Sequence, residues 1–156
     1  MASINGGAEE HLSEFVTVTI GNHLFGLPIS RVQDVFVPER LTRVPLAPPD
    51  VAGILNLRGR VTTVIEMRSR LDLGTRQPGQ PVMAIGIEFK GESYGLLVDS
   101  VGEVMQLQSS TREANPSNLD LRLARVASGV YRLEGQLMVV LDVDRVLDIK
   151  NAVMVA

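Results

Sequence analysis

The sequence predicts an all-β protein, and three observations support this fold class. Hydrophobic residues make up 45% of the 156 residues and charged residues only 21%, which is typical of a packed globular chain. Aromatic residues contribute only 4%, so the core must be aliphatic, and the β-branched runs favour strands over helices. The same order of strands and glycine turns also occurs twice along the chain, which indicates two similar halves.

The predicted strands include a hairpin in each half. Residues 16–20 alternate valine or isoleucine with threonine, a Gly-Asn turn follows at 21–22, and residues 25–29 alternate again. The second half repeats this pattern over residues 83–89 and 94–98, with a glycine turn between them. Each half is therefore expected to contribute one antiparallel hairpin.

Two aligned blocks define the repeat. Residues 25–35 align with residues 94–104 without a gap, and residues 53–66 align with residues 129–142 after a longer connection in the second half. Glycine turns in the second pair of blocks lead into further strands, which gives about five strands per half. Closed barrels are favoured over one open sheet, because closure removes exposed strand edges. The sequence thus predicts two packed SH3-like five-stranded β-barrels from an internal repeat, with one or two short helices.

The limits of the domain follow from these strands. Residues 1–14 are expected to form a flexible N-terminal leader and residues 149–156 a C-terminal tail. Residues 15–148 are predicted to form a single domain of two lobes, approximately 15–73 and 82–148. The alignment leaves open whether strands are exchanged between the lobes.

Helix signals are few. Asp142 or Asp144 can cap a terminal helix, because an aspartate side chain accepts a hydrogen bond from a free N–H of the first turn. A second short helical turn is expected within residues 66–73. The two aspartates also form a tight carboxylate pair, but a hard cation would need about six oxygen ligands, so the cap is the preferred interpretation.

Charge and composition exclude several classes of function. The formal net charge is −3 without a cluster of lysine or arginine, so nucleic acid is not an expected partner. No apolar run approaches the roughly 18 to 20 residues that span a bilayer, and no signal-peptide core is found, so a cytoplasmic protein without membrane insertion is expected. The absence of cysteine excludes disulfides and thiolate metal sites.

The sequence shows no constellation for catalysis. Neither histidine, His11 or His23, has an acid or a nucleophile at a motif spacing, and a surface position is the simpler interpretation for both. There is no phosphate-binding loop, no dinucleotide glycine fingerprint, no nucleophile elbow and no zinc spacing. We therefore expect no catalytic residues, no metal and no cofactor.

Arg58 is not explained by folding alone. Within the Asn-Leu-Arg-Gly motif at residues 56–59, this cation lies between an aliphatic strand and a tight turn, where it is available to a partner. An equally weighted alternative is a local role, in which Arg58 bonds a carbonyl or pairs with a carboxylate such as Asp34. Val32, Val35 and Val37, interleaved with Gln33 and Asp34, are by default core residues.

Three segments around this motif resemble the CheW family. They are Val44-Pro45-Leu46-Ala47-Pro48-Pro49, Gly53-Ile54-Leu55-Asn56-Leu57-Arg58-Gly59-Arg60-Val61 and Ile65-Glu66-Met67-Arg68. The resemblance covers about residues 14–148, and the Asn-Leu-Arg-Gly block is its most specific part. The family usually has Glu at the position of Asp34, Pro at that of Thr63 and Asp at that of Glu66, so both acidic charges are kept.

The resemblance implies a function. Proteins of this family are non-catalytic chemotaxis scaffolds that couple chemoreceptors, the methyl-accepting chemotaxis proteins, to the CheA histidine kinase in signalling arrays. The implied partners are the regulatory domain of a CheA-type kinase and the cytoplasmic tip of a chemoreceptor, with self-association in arrays left open. The protein would then be cytoplasmic and recruited to membrane-anchored receptor arrays.

The resemblance also implies site residues, position by position. A hydrophobic receptor groove, with Arg58 as its polar anchor, would be formed by Val32, Val35, Arg58, Val82, Val101 and Val104. The kinase-binding face would contain Asp34, Gly53 and Gly59, where the glycines keep turns tight. The division of these residues between the two partners is left open.

Two other functions are kept as alternatives. The same modules can form a CheW-like coupler for a different kinase pathway, in motility or development. A small β-barrel ligand-binding domain is a further alternative. That function would require a polar pocket with perturbed titratable groups.

Overall fold

The computed structural model describes residues 11–149, which fold into ten β-strands and three short α-helices. The strands are β1 (Leu12–Ile20), β2 (His23–Pro28), β3 (Asp34–Phe36), β4 (Val51–Leu57), β5 (Arg60–Glu66), β6 (Met83–Phe89), β7 (Glu92–Val98), β8 (Ser100–Gln108), β9 (Ala127–Leu133) and β10 (Gln136–Leu141). The helices are α1 (Met67–Arg70), α2 (Leu121–Ala124) and α3 (Val143–Leu147). This confirms the predicted all-β class, with three short α-helices among the described residues where one or two were expected.

The strands form two five-stranded sheets. The first sheet has the order β8-β1-β2-β10-β9, and the second sheet has the order β3-β6-β7-β5-β4. Each sheet combines the hairpin of one sequence half with the three later strands of the other half. Parallel pairing of β2 with β10, and of β5 with β7, joins the two contributions. Strands are therefore exchanged between the two halves of the repeat.

The described residues also locate the ends of the regular structure. β1 begins at Leu12, inside the leader predicted over residues 1–14, because its first residues pair with the far end of β8. Residues 1–10 of that leader lie outside the described part of the chain, as do residues 150–156 of the predicted tail. Regular structure thus runs from Leu12 to Leu147.

Two of the short helices lie where they were predicted, and Asp142 is the predicted cap of the second. The Glu66 side chain accepts a hydrogen bond from the first turn of α1, and the Asp142 side chain accepts one from the first turn of α3. These helices follow β5 and β10, which are equivalent strands of the two halves. Arg70 of α1 links them, because its guanidinium donates to two carbonyls of α3.

One shared core joins the sheets, and each sheet also has a smaller apolar cluster of its own. The shared core contains Val18 and Phe25 from the first sheet, together with Ile85 and Leu96 from the second. Side chains alternate along a strand, so Leu96 enters the shared core while Leu97 enters the smaller cluster of the second sheet. Since each fully buried aliphatic side chain contributes about 1.5–3 kcal/mol, the shared core holds the two sheets together.

Candidate functional site

Asp34 and Arg58 form an ion pair across the two edge strands of the second sheet. Asp34 is the first residue of β3, and Arg58 lies in the turn that follows β4. Arg58 Nη1 is 2.5 Å from Asp34 Oδ2, and the two side chains are 72% and 16% exposed, respectively. The contact is not aligned as a hydrogen bond, because Oδ2 has no such partner within residues 11–149. The local pairing of Arg58 is thus present, and its guanidinium is also accessible to a partner.

The turn that holds Arg58 contains two residues. Leu57 pairs with Arg60, and Arg58 and Gly59 between them have φ values of +53° and +83°. Turns with two positive φ values match the twist of the flanking strands. The Asn56 side chain accepts a 2.9 Å hydrogen bond from the Gly59 N–H. A Cβ on Gly59 would meet no atom within 4 Å, so this glycine is needed for its conformation and not for close packing.

Gly86 makes room for the Asp34 carboxylate. The two residues pair across β3 and β6, and a Cβ on Gly86 would overlap Asp34 Oδ1. Sequence reasoning missed this residue. A glycine inside the apolar alternation of residues 83–89 is nevertheless a signal of close approach, and it could have identified the position.

Replacing Gly86 with alanine is expected to displace the Asp34 carboxylate and to lower the free energy of unfolding by about 1 kcal/mol, since the added Cβ overlaps the end of a side chain that can move. Urea unfolding at neutral pH measures this loss. In an Asp34→Ala background the same substitution should destabilise much less, because the overlapping oxygen is gone. If Gly86→Ala lowers the free energy of unfolding equally in both backgrounds, Gly86 does not act by making room for the Asp34 carboxylate.

Gly53 lies in β4 where the second sheet closes. It is buried, and a Cβ there would overlap the carbonyl oxygen of Thr42. Thr42 and Ile54 exchange two backbone hydrogen bonds of 2.8 Å, which fasten the segment after β3 to β4. Gly53 therefore shapes this surface through the backbone and does not itself expose a side-chain contact.

A groove of about 710 Å³ lies next to the ion pair. It is lined by residues from the segment after β3 and from β4 and β5, namely Phe36, Val37, Glu39, Arg40, Thr42, Ile54, Leu55, Asn56, Leu57 and Val61. Asn56 and Leu57 immediately precede Arg58 in the chain, and Val37 and Val61 are exposed. Because most of these side chains are apolar, the groove suits a protein partner better than a small polar substrate.

The valines that the sequence assigns to a receptor groove lie on both sheets. Val32 and Val101 are half-buried against the shared core, and Val82 is half-buried against the smaller cluster of the second sheet. Val35 and Val104 are exposed, on β3 and β8 respectively. Because Val37 is exposed as well, the default assignment of Val35 and Val37 to the core is wrong. Val35 thus belongs to the sheet that holds the ion pair, whereas Val101 and Val104 belong to the other sheet.

A second group of charges, which sequence reasoning missed, connects the two sheets. Arg68 donates two hydrogen bonds to Asp99, and Arg76 donates to both Asp99 and Glu66, at distances from 2.7 to 3.1 Å. Asp99 also accepts a 2.8 Å bond from the Gly21 N–H, in the turn between β1 and β2. These four side chains, which we call the four-charge cluster, are only 12% to 20% exposed. The cluster fastens a turn of the first sheet to the second sheet.

Hydrogen bonding decides the ionisation of Asp99. Burial alone would raise the pKa of its carboxyl group. The hydrogen bonds from Arg68, from the Gly21 N–H and from Arg76 outweigh burial, and the pKa of Asp99 lies below its ordinary value. The carboxylate is therefore charged at neutral pH, and the two arginines of the cluster face two acidic side chains.

Neither a metal centre nor a membrane-spanning helix is found among the described residues. Within residues 11–149, no group of three or more histidine, cysteine, aspartate or glutamate side chains could hold a metal ion. The same part of the chain contains no helix that is both long and apolar enough to cross a membrane.

The sequence matches a known family over most of its length. A family model for a CheW-like domain matches residues 14–151. The chain belongs to the CheW-like family. The matched residues include both sheets, the Asp34–Arg58 pair and the four-charge cluster, so these features are parts of one CheW-like domain.

Curated relatives agree with this assignment. The chemotaxis protein CheW of Rhizobium meliloti is 27% identical over 143 residues, which cover 89% of this chain and 92% of that protein. The chemotaxis protein CheW of Bacillus subtilis is 25% identical over 135 residues, which cover 86% of each chain. The similarity therefore extends over nearly the whole of these CheW proteins.

A solved structure agrees in fold. The crystal structure of the scaffolding protein TtCheW from Thermoanaerobacter tengcongensis matches with a TM-score of 0.80 and 25% identity, covering 90% of this chain and 95% of that chain. The protein thus has the CheW fold of two SH3-like barrels, as the sequence predicts. It is a non-catalytic scaffold or adaptor of the chemotaxis CheW family.

Proposed function

We propose that this CheW-like protein couples chemoreceptors to a CheA-type histidine kinase in signalling arrays. The observation that carries the proposal is the exposed Arg58 guanidinium, held by the recessed Asp34 carboxylate beside a mostly apolar groove. Apolar area combined with an oriented arginine is characteristic of interfaces between folded proteins. Recruitment to membrane-anchored arrays would follow from binding to the receptors.

The kinase-binding face is assigned to the region of Asp34, Gly53 and Gly59. Asp34 orients Arg58 from its recessed position. Gly59 supports the turn through its positive φ, and Gly53 supports the closure of the sheet from a buried position. In this proposal Asp34 acts through its charge, and the two glycines act by shaping the backbone around it.

Receptor binding is assigned to a groove with the residues Val32, Val35, Arg58, Val82, Val101 and Val104. Val35 and Val104 are the two exposed valines of this set, and they would make the direct apolar contacts. The half-buried valines would support these contacts from the core side. A helical hairpin tip from a receptor is the partner that such an aliphatic groove would accept.

The energetics favour exchangeable contacts. Burial of aliphatic surface contributes about 25 cal/mol per Å², but association also loses rigid-body freedom, which offsets a large part of this gain. Specificity would then depend on charge, because a desolvated guanidinium that lacks its partner costs several kcal/mol. Arg58 is the residue at which a substitution should separate binding from folding.

Arg58→Ala is expected to weaken binding to the regulatory domain of a CheA-type kinase at least tenfold, about 1.4 kcal/mol. Its Tm should fall by no more than about 4 °C, since Arg58 itself is exposed and the pair that it forms with the recessed Asp34 contributes about 1 kcal/mol to folding. Calorimetric titration and thermal unfolding measure the two quantities. Asp34→Asn should weaken binding as well, because Arg58 loses the carboxylate that orients it.

Arg132→Ala is the matched control. Arg132 is 63% exposed and pairs with Glu113 at 3.0 Å, but it lies on the first sheet. This variant should bind the kinase domain like wild type. The proposal fails if the folded wild-type protein binds neither the kinase domain nor a receptor cytoplasmic fragment. If Arg132→Ala weakens kinase binding as much as Arg58→Ala does, the surface around Arg58 is not the kinase-binding face.

A further inference from the structure

Leu46 occupies a turn position that leucine does not favour. The Ala47 N–H donates to the Val44 carbonyl at 3.2 Å, which closes a β-turn with Pro45 second and Leu46 third. Leu46 has a φ of +65°. This is the pattern of a type II turn, whose third position favours glycine or asparagine because a larger side chain is strained there.

The same leucine is placed entirely in solvent. Its exposure is 100%, so it gains nothing from the apolar cores of the protein. The backbone strain opposes folding, and because the side chain is as exposed as in the unfolded chain, no packing contact offsets the strain. Strained residues of this kind concentrate where a protein binds something, and so Leu46 calls for a functional explanation.

The turn is held rigid at both ends. Pro45, Pro48 and Pro49 restrict the backbone around Leu46, and the Val51 N–H donates to the Pro48 carbonyl at 2.9 Å. On the other side, Thr42 is fastened to β4 by its two hydrogen bonds to Ile54. A rigid turn loses little conformational freedom on binding, which favours a side chain that acts as an anchor.

Leu46 continues the surface that contains the ion pair. The segment leading to it exposes Val37, Leu41 and Val44, and Val37 lines the groove next to Arg58. Arg40 and Arg43 in the same segment make no ion pair within residues 11–149. Two arginines and one glutamate, Glu39, thus lie among the apolar side chains of this segment, and the excess of positive charge complements an apolar pocket with a mainly acidic rim.

We propose that Leu46 is a hydrophobic anchor that inserts into an apolar pocket with an acidic rim on the regulatory domain of the kinase. The inference rests on the proposed function, whose kinase-binding face it extends. A single protruding side chain needs a pocket, which a globular domain offers more readily than the helical tip of a receptor. The link through Thr42 also joins the turn to β4, where Gly53 lies.

The test uses Leu46→Asn, because asparagine tolerates positive φ better than leucine. Calorimetric titration against the kinase regulatory domain should show an affinity at least tenfold lower than wild type. The Tm should stay equal or rise by about 2 °C, since the strain is relieved. Leu46→Gly should give the same combination of unchanged or higher Tm with weaker binding, a pattern that a purely structural role would not produce.

Leu121→Asn is the matched control. Leu121 is 73% exposed, but it lies on α2 among the residues that pack near β9 of the first sheet. This variant should bind like wild type.

If Leu46→Asn also binds like wild type while Arg58→Ala does not, the anchor is refuted and the proposed function stands. If the wild-type protein does not bind the kinase domain, the anchor is refuted, and if it does not bind a receptor cytoplasmic fragment either, the proposed function fails as well. If wild type self-associates and Leu46→Asn abolishes this without altering kinase binding, a second copy of the chain is the occupant and the kinase assignment is wrong.

Discussion

Replacing Asp99 with asparagine is expected to lower the free energy of unfolding by about 3 kcal/mol at neutral pH. The substitution removes the carboxylate that Arg68 and Arg76 share, and only Glu66 then balances the two guanidinium groups. Both arginine side chains are largely buried, so water replaces the lost partner only in part. The Gly21 N–H also loses a charged acceptor. Urea unfolding of the wild type and of the variant measures the difference.

Asp144→Asn is the control for this prediction. Asp144 pairs with Arg31 at 2.9 Å, but its side chain is largely exposed. Exposed pairs contribute about 0–1 kcal/mol, so this variant should unfold with almost the stability of the wild type. If both variants lose a similar free energy of unfolding, the buried four-charge cluster stabilises the protein no more than an exposed ion pair does.

The same cluster predicts how stability depends on pH. Because the pKa of Asp99 is lowered in the folded protein, its contribution is fully present above the unfolded-state pKa of about 4. This contribution is lost as the pH falls through the lower folded-state pKa. The Asp99→Asn variant has no such group and should lose less stability than wild type below about pH 4. If the stability of the wild type and of Asp99→Asn falls equally with decreasing pH, Asp99 is not the group responsible for this pH dependence.

The strands could be predicted from the sequence, but their pairing could not. Alternation over residues 16–20 and 94–98 indicates strands, because the direction of successive side chains depends only on local sequence. The partner of a strand is a tertiary property, and β2 pairs with β10 from the far end of the chain. The repeat predicts two similar units, whereas the reciprocal exchange of hairpins depends on the shared core that both sheets build.

The candidate site shows the same division between local and distant information. Arg58 could be singled out because its turn, with the asparagine before it and the glycine after it, is a local motif. The four-charge cluster could not, since Asp99 and Gly21 are distant from Arg68 in sequence. A charged residue is by default assigned to the surface, and only the fold shows that these charges are largely buried together.

Gly53→Ala is expected to lower the free energy of unfolding by about 2–3 kcal/mol. The added Cβ would overlap the carbonyl oxygen of Thr42, which is backbone and cannot turn aside like a flexible side chain. Relief requires the segment after β3 to move away and its two hydrogen bonds to Ile54 to lengthen. Gly59→Ala is the comparison, because its Cβ meets no atom and only the positive φ opposes it, at a cost of about 1 kcal/mol.

The Gly53→Ala variant also shows whether Gly53 affects kinase binding through the shape of the backbone or through a direct contact. Gly53 is buried, so its substitution can alter binding only by moving the backbone that lines the groove and leads to Leu46. Binding measured by calorimetry well below the Tm should therefore weaken together with stability in the Gly53→Ala variant. If binding weakens while urea unfolding shows wild-type stability, a direct contact at Gly53 is required, and the backbone explanation for this residue is wrong.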